Sequence, residues 1–186
     1  MLLGAFVLLF AASVPLAGGR LGDLSTLHFR AKSLAVSAIA IQILVISVLP
    51  GGENWAYSAL HVASYALLGA FLITNRGVPG LWLIAIGGAL NLIVIAANGG
   101  VMPASPGAME AAGLRHDATD FSNSTAVDDP KLAFLGDVFA VPQSFPLHNV
   151  FSVGDVLIVV GVAVLLHRVC GSRLAPASRR RLQPAA

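Results

Sequence analysis

Apolar residues in this chain come in long unbroken runs, not at the spacing of half-buried helices or strands. The runs occupy about 1–17, 33–49, 55–74, 80–97 and 150–167. The breaks between them carry helix-stopping and turn residues: Gly18-Gly19-Arg20, Pro50-Gly51-Gly52, Asn75 to Gly80, and Asn98-Gly99-Gly100 followed by Pro103. Runs of about twenty apolar residues are what a helix needs to cross a bilayer. The pattern therefore predicts an all-α fold: an integral membrane bundle of five transmembrane helices forming a single domain. One long extracytoplasmic loop, 98–149, and a basic cytoplasmic tail, 168–186, complete that expectation. No Lys or Arg precedes Arg20, so the first run lacks the basic start of a secretory signal and reads as a retained span bent at Pro15.

Polar residues inside the runs are few enough to name. Gln42 sits at the centre of the second run, where an interhelical hydrogen bond is its ordinary use. Ser58, His61 and Tyr65 fall on one face of the third. Gly87 and Gly88 would let another helix approach the fourth closely, and Asn91 and Asn98, seven apart, share a face. In the long loop the composition shifts to Ser, Thr, Asp, Pro and His. Asn123-Ser124-Thr125 matches a glycosylation acceptor, with an ordinary loop as the plainer reading. Residues 132–141 turn apolar again but are too short to span, so they are expected to be re-entrant, interfacial or packed on the bundle.

Composition strengthens the membrane expectation. Of 186 residues, 56% are hydrophobic and 11% charged, against roughly 25% charged in ordinary soluble domains, with a mean hydropathy of +0.83. Charge placement adds an orientation. With the C-terminus in the cytoplasm, nine of the eleven Lys and Arg face inward, leaving only Arg115 and Lys131 outside. Of the acids, only Asp23 is then inside. Basic residues near spans favour the cytoplasmic side, so the prediction is a plasma-membrane protein with its N-terminus outside. Arg179-Arg180-Arg181 reads as an anchor touching anionic lipid. The scattered cations and the lack of zinc-ligand spacing exclude a nucleic-acid partner. Cys170 is the single cysteine, which excludes an intrachain disulfide. No metal and no cofactor are expected.

The candidate chemistry gathers at the predicted outer leaflet: Asn98, Asp137, His148, Asn149 and Asp155, with Asn91 and His61 as supporting polar groups. A carboxylate at the mouth of a span must be partnered, solvated or used. If Asp137 and Asp155 met, one would hold a proton while the other stayed ionised, the arrangement an aspartyl hydrolase needs. The plainer reading is equally explicit. Ser152-Val153-Gly154-Asp155 is a capping-box pattern at a helix start, and Asp137 after Gly136 reads as a turn or cap. His61 reads as an interhelical hydrogen-bonding residue, because no second His or Cys stands near it at metal spacing.

Two resemblances follow from these residues. Gly18-Gly19-Arg20-Leu21, Asn75-Arg76 with Pro79-Gly80, Asn98 to Pro103, Phe134-Leu135-Gly136-Asp137 and Ser152 to Ile158 together resemble an uncharacterised bacterial membrane-protein family, a domain of unknown function. The match covers nearly the whole chain and implies no activity. The C-terminal half also resembles signal peptidase II, the lipoprotein signal peptidase. Gly87 to Ile93 is similar to the segment before that family's catalytic region, and Phe145 to Asn149 with Asp155, Ile158 and Gly161 is similar to its last motif. That resemblance implies Asp137 and Asp155 as the catalytic dyad and Asn149 as support. Departures stand beside it: Val94-Ile95 where the family has Asp-Arg, and six residues from Asn149 to Asp155 where it has three.

The functional expectation is a multi-pass membrane protein of uncharacterised activity with an outer-leaflet polar site that binds lipid or a partner. The expected partners are membrane lipids, a lipoprotein or another membrane protein. The alternative is an aspartyl membrane hydrolase acting on a lipid-anchored peptide. Residue types alone leave open whether the chain is an enzyme.

Overall fold

A computed structural model describes residues 2–48, 55–99, 101–114, 124–125 and 129–174. Among the described residues, six helices follow the apolar runs and one segment of the long loop: α1 (Leu2–Leu16), α2 (Lys32–Val48), α3 (Trp55–Thr74), α4 (Leu81–Ala97), α5 (Pro106–Ala111) and α6 (Val153–Val169). Short 3₁₀ turns occupy Leu21–Thr26 and Ala133–Leu135. The described part of the long loop holds four short strands: β1 (Met102–Pro103), β2 (Ser124–Thr125), β3 (Phe139–Val141) and β4 (Asn149–Phe151). β1 pairs with β2 in parallel, and β3 pairs with β4 antiparallel.

The helix positions match the apolar runs, but the membrane reading of those runs is corrected. Among the described residues, no helix is long and apolar enough to cross a membrane. At 1.5 Å per residue, the 15 residues of α1 and the 17 of α2, α4 and α6 reach about 22–26 Å, short of a hydrocarbon core of roughly 30 Å. α3 has 20 residues, with Ser58, His61, Ser64 and Tyr65 among its apolar positions. The five-span bundle, the multi-pass plasma-membrane location and the inside–outside orientation built on it therefore do not hold.

The architecture turns on the pairing of α4 with α6. Gly80 and Gly87 on one side face Gly161 and Gly154 on the other, so the helices run antiparallel. A Cβ at Gly87 would collide with the Gly154 carbonyl, and one at Gly161 would lie 2.8 Å from the Gly80 carbonyl. Gly80 also holds φ 81°, a left-handed conformation that only glycine adopts without strain. Gly88, the other glycine of the pair in the sequence, has open space where its Cβ would stand.

α1 runs parallel to α6 and packs on its last turns, where Val14, Leu166 and Cys170 form a small core with Phe10, Leu24 and Leu165. The Arg20 N–H donates to the Cys170 carbonyl and the Arg173 N–H to that of Ala17, closing this end. α2 and α3 form a hairpin, with Phe29 against Phe71 at a ring distance of 5.5 Å. At the opposite end the long loop builds a cap. Ser105 starts α5 by accepting from the Ala108 N–H at 3.1 Å, with Pro106 at the first helical position where its missing donor costs nothing. Ala104, Ala108, Met109, Ala112 and Val150 form the core beneath it. The apolar piece 132–141 is the 3₁₀ turn and β3, and Phe139 stacks on Phe151 across the β3–β4 pair.

Two asparagines use one device to fasten chain segments to helix ends. Asn75, at the end of α3, accepts from the Arg30 N–H at 2.8 Å and donates to the Arg30 carbonyl at 3.0 Å. Asn98, at the end of α4, does the same to Lys131, at 2.9 Å each way. Each amide also donates back four residues, to Phe71 and Val94. In both cases the next residue, Ala31 or Leu132, has a positive φ of 50° or 53°. A carboxamide mimics one rung of a β-ladder, and the grip holds the neighbouring residue in a conformation unfavourable for a side chain.

Gly87→Ala is expected to lower stability by about 1–3 kcal/mol, the usual cost of forcing atoms into a closed contact. Gly88→Ala is expected to stabilise by about 0.5–1 kcal/mol through helix propensity. Denaturant unfolding monitored by circular dichroism measures both, and equal effects would refute the contact. Asn75→Ala leaves partly buried backbone groups of Arg30 without the Asn75 amide and is expected to cost about 1–3 kcal/mol. Asn98→Ala, at a more open site, is expected to cost less.

Candidate functional site

The sequence-predicted polar residues separate into different places. Asn91, on α4, meets the start of α6 and forms a closed ring with Ser152 and Asp155. The Ser152 hydroxyl donates to Asn91 Oδ1 at 2.9 Å, and Asn91 Nδ2 donates to Asp155 Oδ1 at 2.9 Å. The Asp155 N–H donates to Ser152 Oγ at 3.0 Å, and the Ser152 N–H donates to Asp155 Oδ2 at 3.0 Å. The last two bonds are the reciprocal pair of a capping box, which satisfies two of the N–H groups a helix start leaves over. The α6 N-terminus also favours the negative charge of Asp155. Gly154 makes the ring possible, since a Cβ there would occupy the place of the Asn91 amide.

The ring fixes the sense of the Asn91 amide. Its oxygen faces a hydroxyl proton and its nitrogen a carboxylate. The reverse would set a carbonyl against the carboxylate. Both carboxylate oxygens of Asp155 thus hold N–H donors.

Asp137 sits in the cap. Its N–H donates to the Pro103 carbonyl at 2.9 Å, and its carbonyl accepts from the Ser105 N–H at 3.0 Å, forming a bridge beside β1. Its side chain is buried, 4% exposed, and is held by contacts of its own. The Asp137 backbone therefore ties the β3 side of the cap to the start of α5. Asn149 lies in β4, paired with Val141, and His148 is exposed in the turn before it, its N–H donating to the Phe145 carbonyl at 3.2 Å. Asn98 is the Lys131 clamp described above. The side chain of His61 and the motif residue Asn123 lie outside the described residues.

A second polar cluster, absent from the sequence reading, lies at the other end of α6. His167 is buried, with Nε2 3.1 Å from Ser13 Oγ and Nδ1 2.7 Å from Ser172 Oγ. Ser13 has one hydroxyl proton, and it goes to the Phe10 carbonyl at 2.8 Å. His167 then carries its hydrogen on Nε2 and donates to Ser13, while Ser172 donates to Nδ1. An imidazole that donates to Ser13 does not remove that serine's proton, and Ser172, whose hydroxyl faces Nδ1, is fully buried, so the cluster joins α1 to α6. Its signal was the Ser-to-His distance in space, across 154 positions of sequence, which no local motif encodes. Burial and, secondarily, the negative charge of Asp23 push the neighbouring Cys170 thiol up, and the side chain is 1% exposed. Burial likewise pushes the Tyr65 phenol up. Among the described residues, no group of three or more His, Cys, Asp or Glu could hold a metal ion.

With this geometry in view, comparison with known proteins gives three findings. A model described as "Family of unknown function (DUF5317)" matches residues 26–167, which takes in α2 to nearly the end of α6. An uncharacterised protein of Thermotoga maritima is 31% identical over 140 residues, covering 75% of this chain and 77% of that protein. No solved structure matches.

Asn91→Ala and Asp155→Asn are each expected to cost about 1–3 kcal/mol, the range for stranding partners of a shared polar network. The double variant is expected to cost less than the sum, because one ring is broken in both cases. Additive losses in a thermal-unfolding cycle would show that the ring is not a unit. Cys170 is expected to resist alkylation in the folded protein at pH 8 and to react on unfolding, since the thiolate is the reactive form.

Proposed function

We propose that this chain, which belongs to the DUF5317 family of unknown function, is a binding protein that takes an apolar partner along the outer faces of its helices. The observation that supports this is the character of its surface. Leu8 is 72% exposed, Leu16 89% and Val36 66%, and Ile39, Ile43, Val62, Ile73 and Ile93 are exposed as well. Val36, Ile39 and Ile43 recur at steps of three and four, so they form one stripe along α2. The polar side chains Ser64, Asn75, Ser152, His167 and Ser172 are meanwhile buried. Isolated exposed apolar residues are ordinary, but contiguous apolar helix faces of this kind mark surfaces that something covers. Acyl chains or another apolar protein surface would satisfy them, in keeping with lipid or a protein as partner.

The rival reading is an aspartyl hydrolase with Asp137 and Asp155 as its dyad, as the likeness to signal peptidase II implies. The burial of Asp137 in the cap favours it. Against it, each oxygen of Asp155 already accepts a hydrogen bond, one from Asn91 and one from the Ser152 N–H, which ties the carboxylate to the start of α6.

Titration with a neutral acyl detergent such as dodecyl maltoside, followed by thermal unfolding, tests the binding reading. The wild type is expected to gain stability on binding. Ile39→Glu with Ile43→Glu is expected to weaken binding at least tenfold, since each buried Ile contributes about 1.5–3 kcal/mol. Equal binding by that variant would sink the proposal. Cleavage of a lipid-anchored peptide that Asp137→Asn and Asp155→Asn each abolish would establish the hydrolase in its place.

A further inference from the structure

The ends of the molecule carry opposite charge. Arg20, Arg30, Lys32, Arg76, Arg168 and Arg173 are all exposed and lie at one end. The fold puts them there by identifiable contacts. Arg20 and Arg173 are held where the end of α1 meets the end of α6, through the bonds to Cys170 and Ala17. Asn75 holds Arg30 beside Arg76, at the junction of α2 and α3. Gly80, at the start of α4, lies on the backbone of Gly161 and Leu165, one turn before Arg168. Among the described residues, the acid at this end is Asp23. Among the described residues, the opposite end has Glu110, Asp129, Asp137 and Asp155, with Lys131 as its cation.

Large apolar side chains stand among these cations. Leu16 precedes Gly18, which abuts the Arg173 guanidinium, and Leu174 follows it. Ile73 lies two residues before the Asn75 clamp. All three are strongly exposed. A soluble polyanion would reward the cations but leave these side chains in water, whereas an anionic lipid surface satisfies both: headgroups take the guanidinium and ammonium groups, and acyl chains take the leucines and isoleucine.

The geometry points to this basic end as a docking face for an anionic lipid surface, one that needs no helix to cross. This rests on the apolar-partner reading and adds the charge of the headgroup and the end of the molecule that meets it. Arginine supplies most of the charge and suits phosphate through its forked donors. Each cation near an anionic leaflet is expected to raise binding about fivefold, and added salt to reverse it.

Co-sedimentation with vesicles tests the assignment, comparing phosphatidylcholine alone with phosphatidylcholine containing phosphatidylglycerol. The wild type is expected to prefer the anionic vesicles and to lose that preference as salt is raised. Arg76→Gln with Arg168→Gln is expected to cut binding to anionic vesicles about 25-fold, from two cations at about fivefold each. Lys131→Gln, at the far end, is expected to leave it unchanged. Should the double variant lose its unfolding transition, Lys32→Gln with Arg173→Gln carries the same test. Equal binding to both vesicle types overturns the headgroup assignment and leaves the apolar reading standing. Binding to neutral detergent but to neither vesicle does the same. Failure to bind detergent as well would remove the apolar reading itself. Displacement by millimolar inorganic phosphate would overturn a surface in favour of a site for free anion.

Discussion

The close antiparallel contact of α4 with α6 is the constraint on which the rest depends. Four glycines, at 80, 87, 154 and 161, bring the two backbones to a distance that no side chain would permit. That approach is what lets Asn91 reach across to the first turn of α6 and join Ser152 and Asp155. The capping ring then fixes where α6 begins and, with it, the position of β4 just before it. A helix contact built on small residues maximises backbone proximity and leaves few large side chains between the helices. It also leaves bulky residues of these two helices pointing outward, among them Trp82, Ile86, Ile93, Val156 and Val160.

Polar groups do the fastening at each end of this pair. Ser13, His167 and Ser172 join α1 to α6, Asn75 ties the start of α2 to the end of α3, and Asn98 ties the cap to the end of α4. Each satisfies backbone or imidazole groups that burial would otherwise penalise. The molecule is thus polar where segments meet and apolar where helices face outward. That distribution accommodates a binding role more readily than catalysis. The most suggestive carboxylate, Asp155, has an N–H donor on each oxygen, and Ser172, the serine that donates to His167, is buried.

Much of the local structure was legible in the chain. The helix limits followed the apolar runs, because Gly and Pro breaks act locally. The capping box at Ser152 was legible for the same reason: donor and acceptor stand three residues apart and need no tertiary partner. Gly87 was identified as a point of close approach, but Gly88 was not separable from it, since only the rotation of α4 against α6 decides which glycine faces the partner. The membrane reading failed on length: the apolar runs predicted the helices, but most of those helices end short of the roughly 20 residues that a span needs. The runs stop at 15 to 17 residues in four of the five long helices.

The amino-acid order by itself determined the helices, their breaks, the cap at Ser152 and the separation of basic from acidic segments along the chain. These depend on neighbours within a few residues. Only the tertiary structure decided that Asn91 completes the Asp155 ring, that His167 finds Ser13, that Asn75 and Asn98 grip segments distant in sequence, and that the six described cations Arg20, Arg30, Lys32, Arg76, Arg168 and Arg173 share one end. Each of those pairings spans tens of residues. It exists because helix packing, with its fixed register between glycines, brings the partners within hydrogen-bonding distance, and no local pattern carries that register.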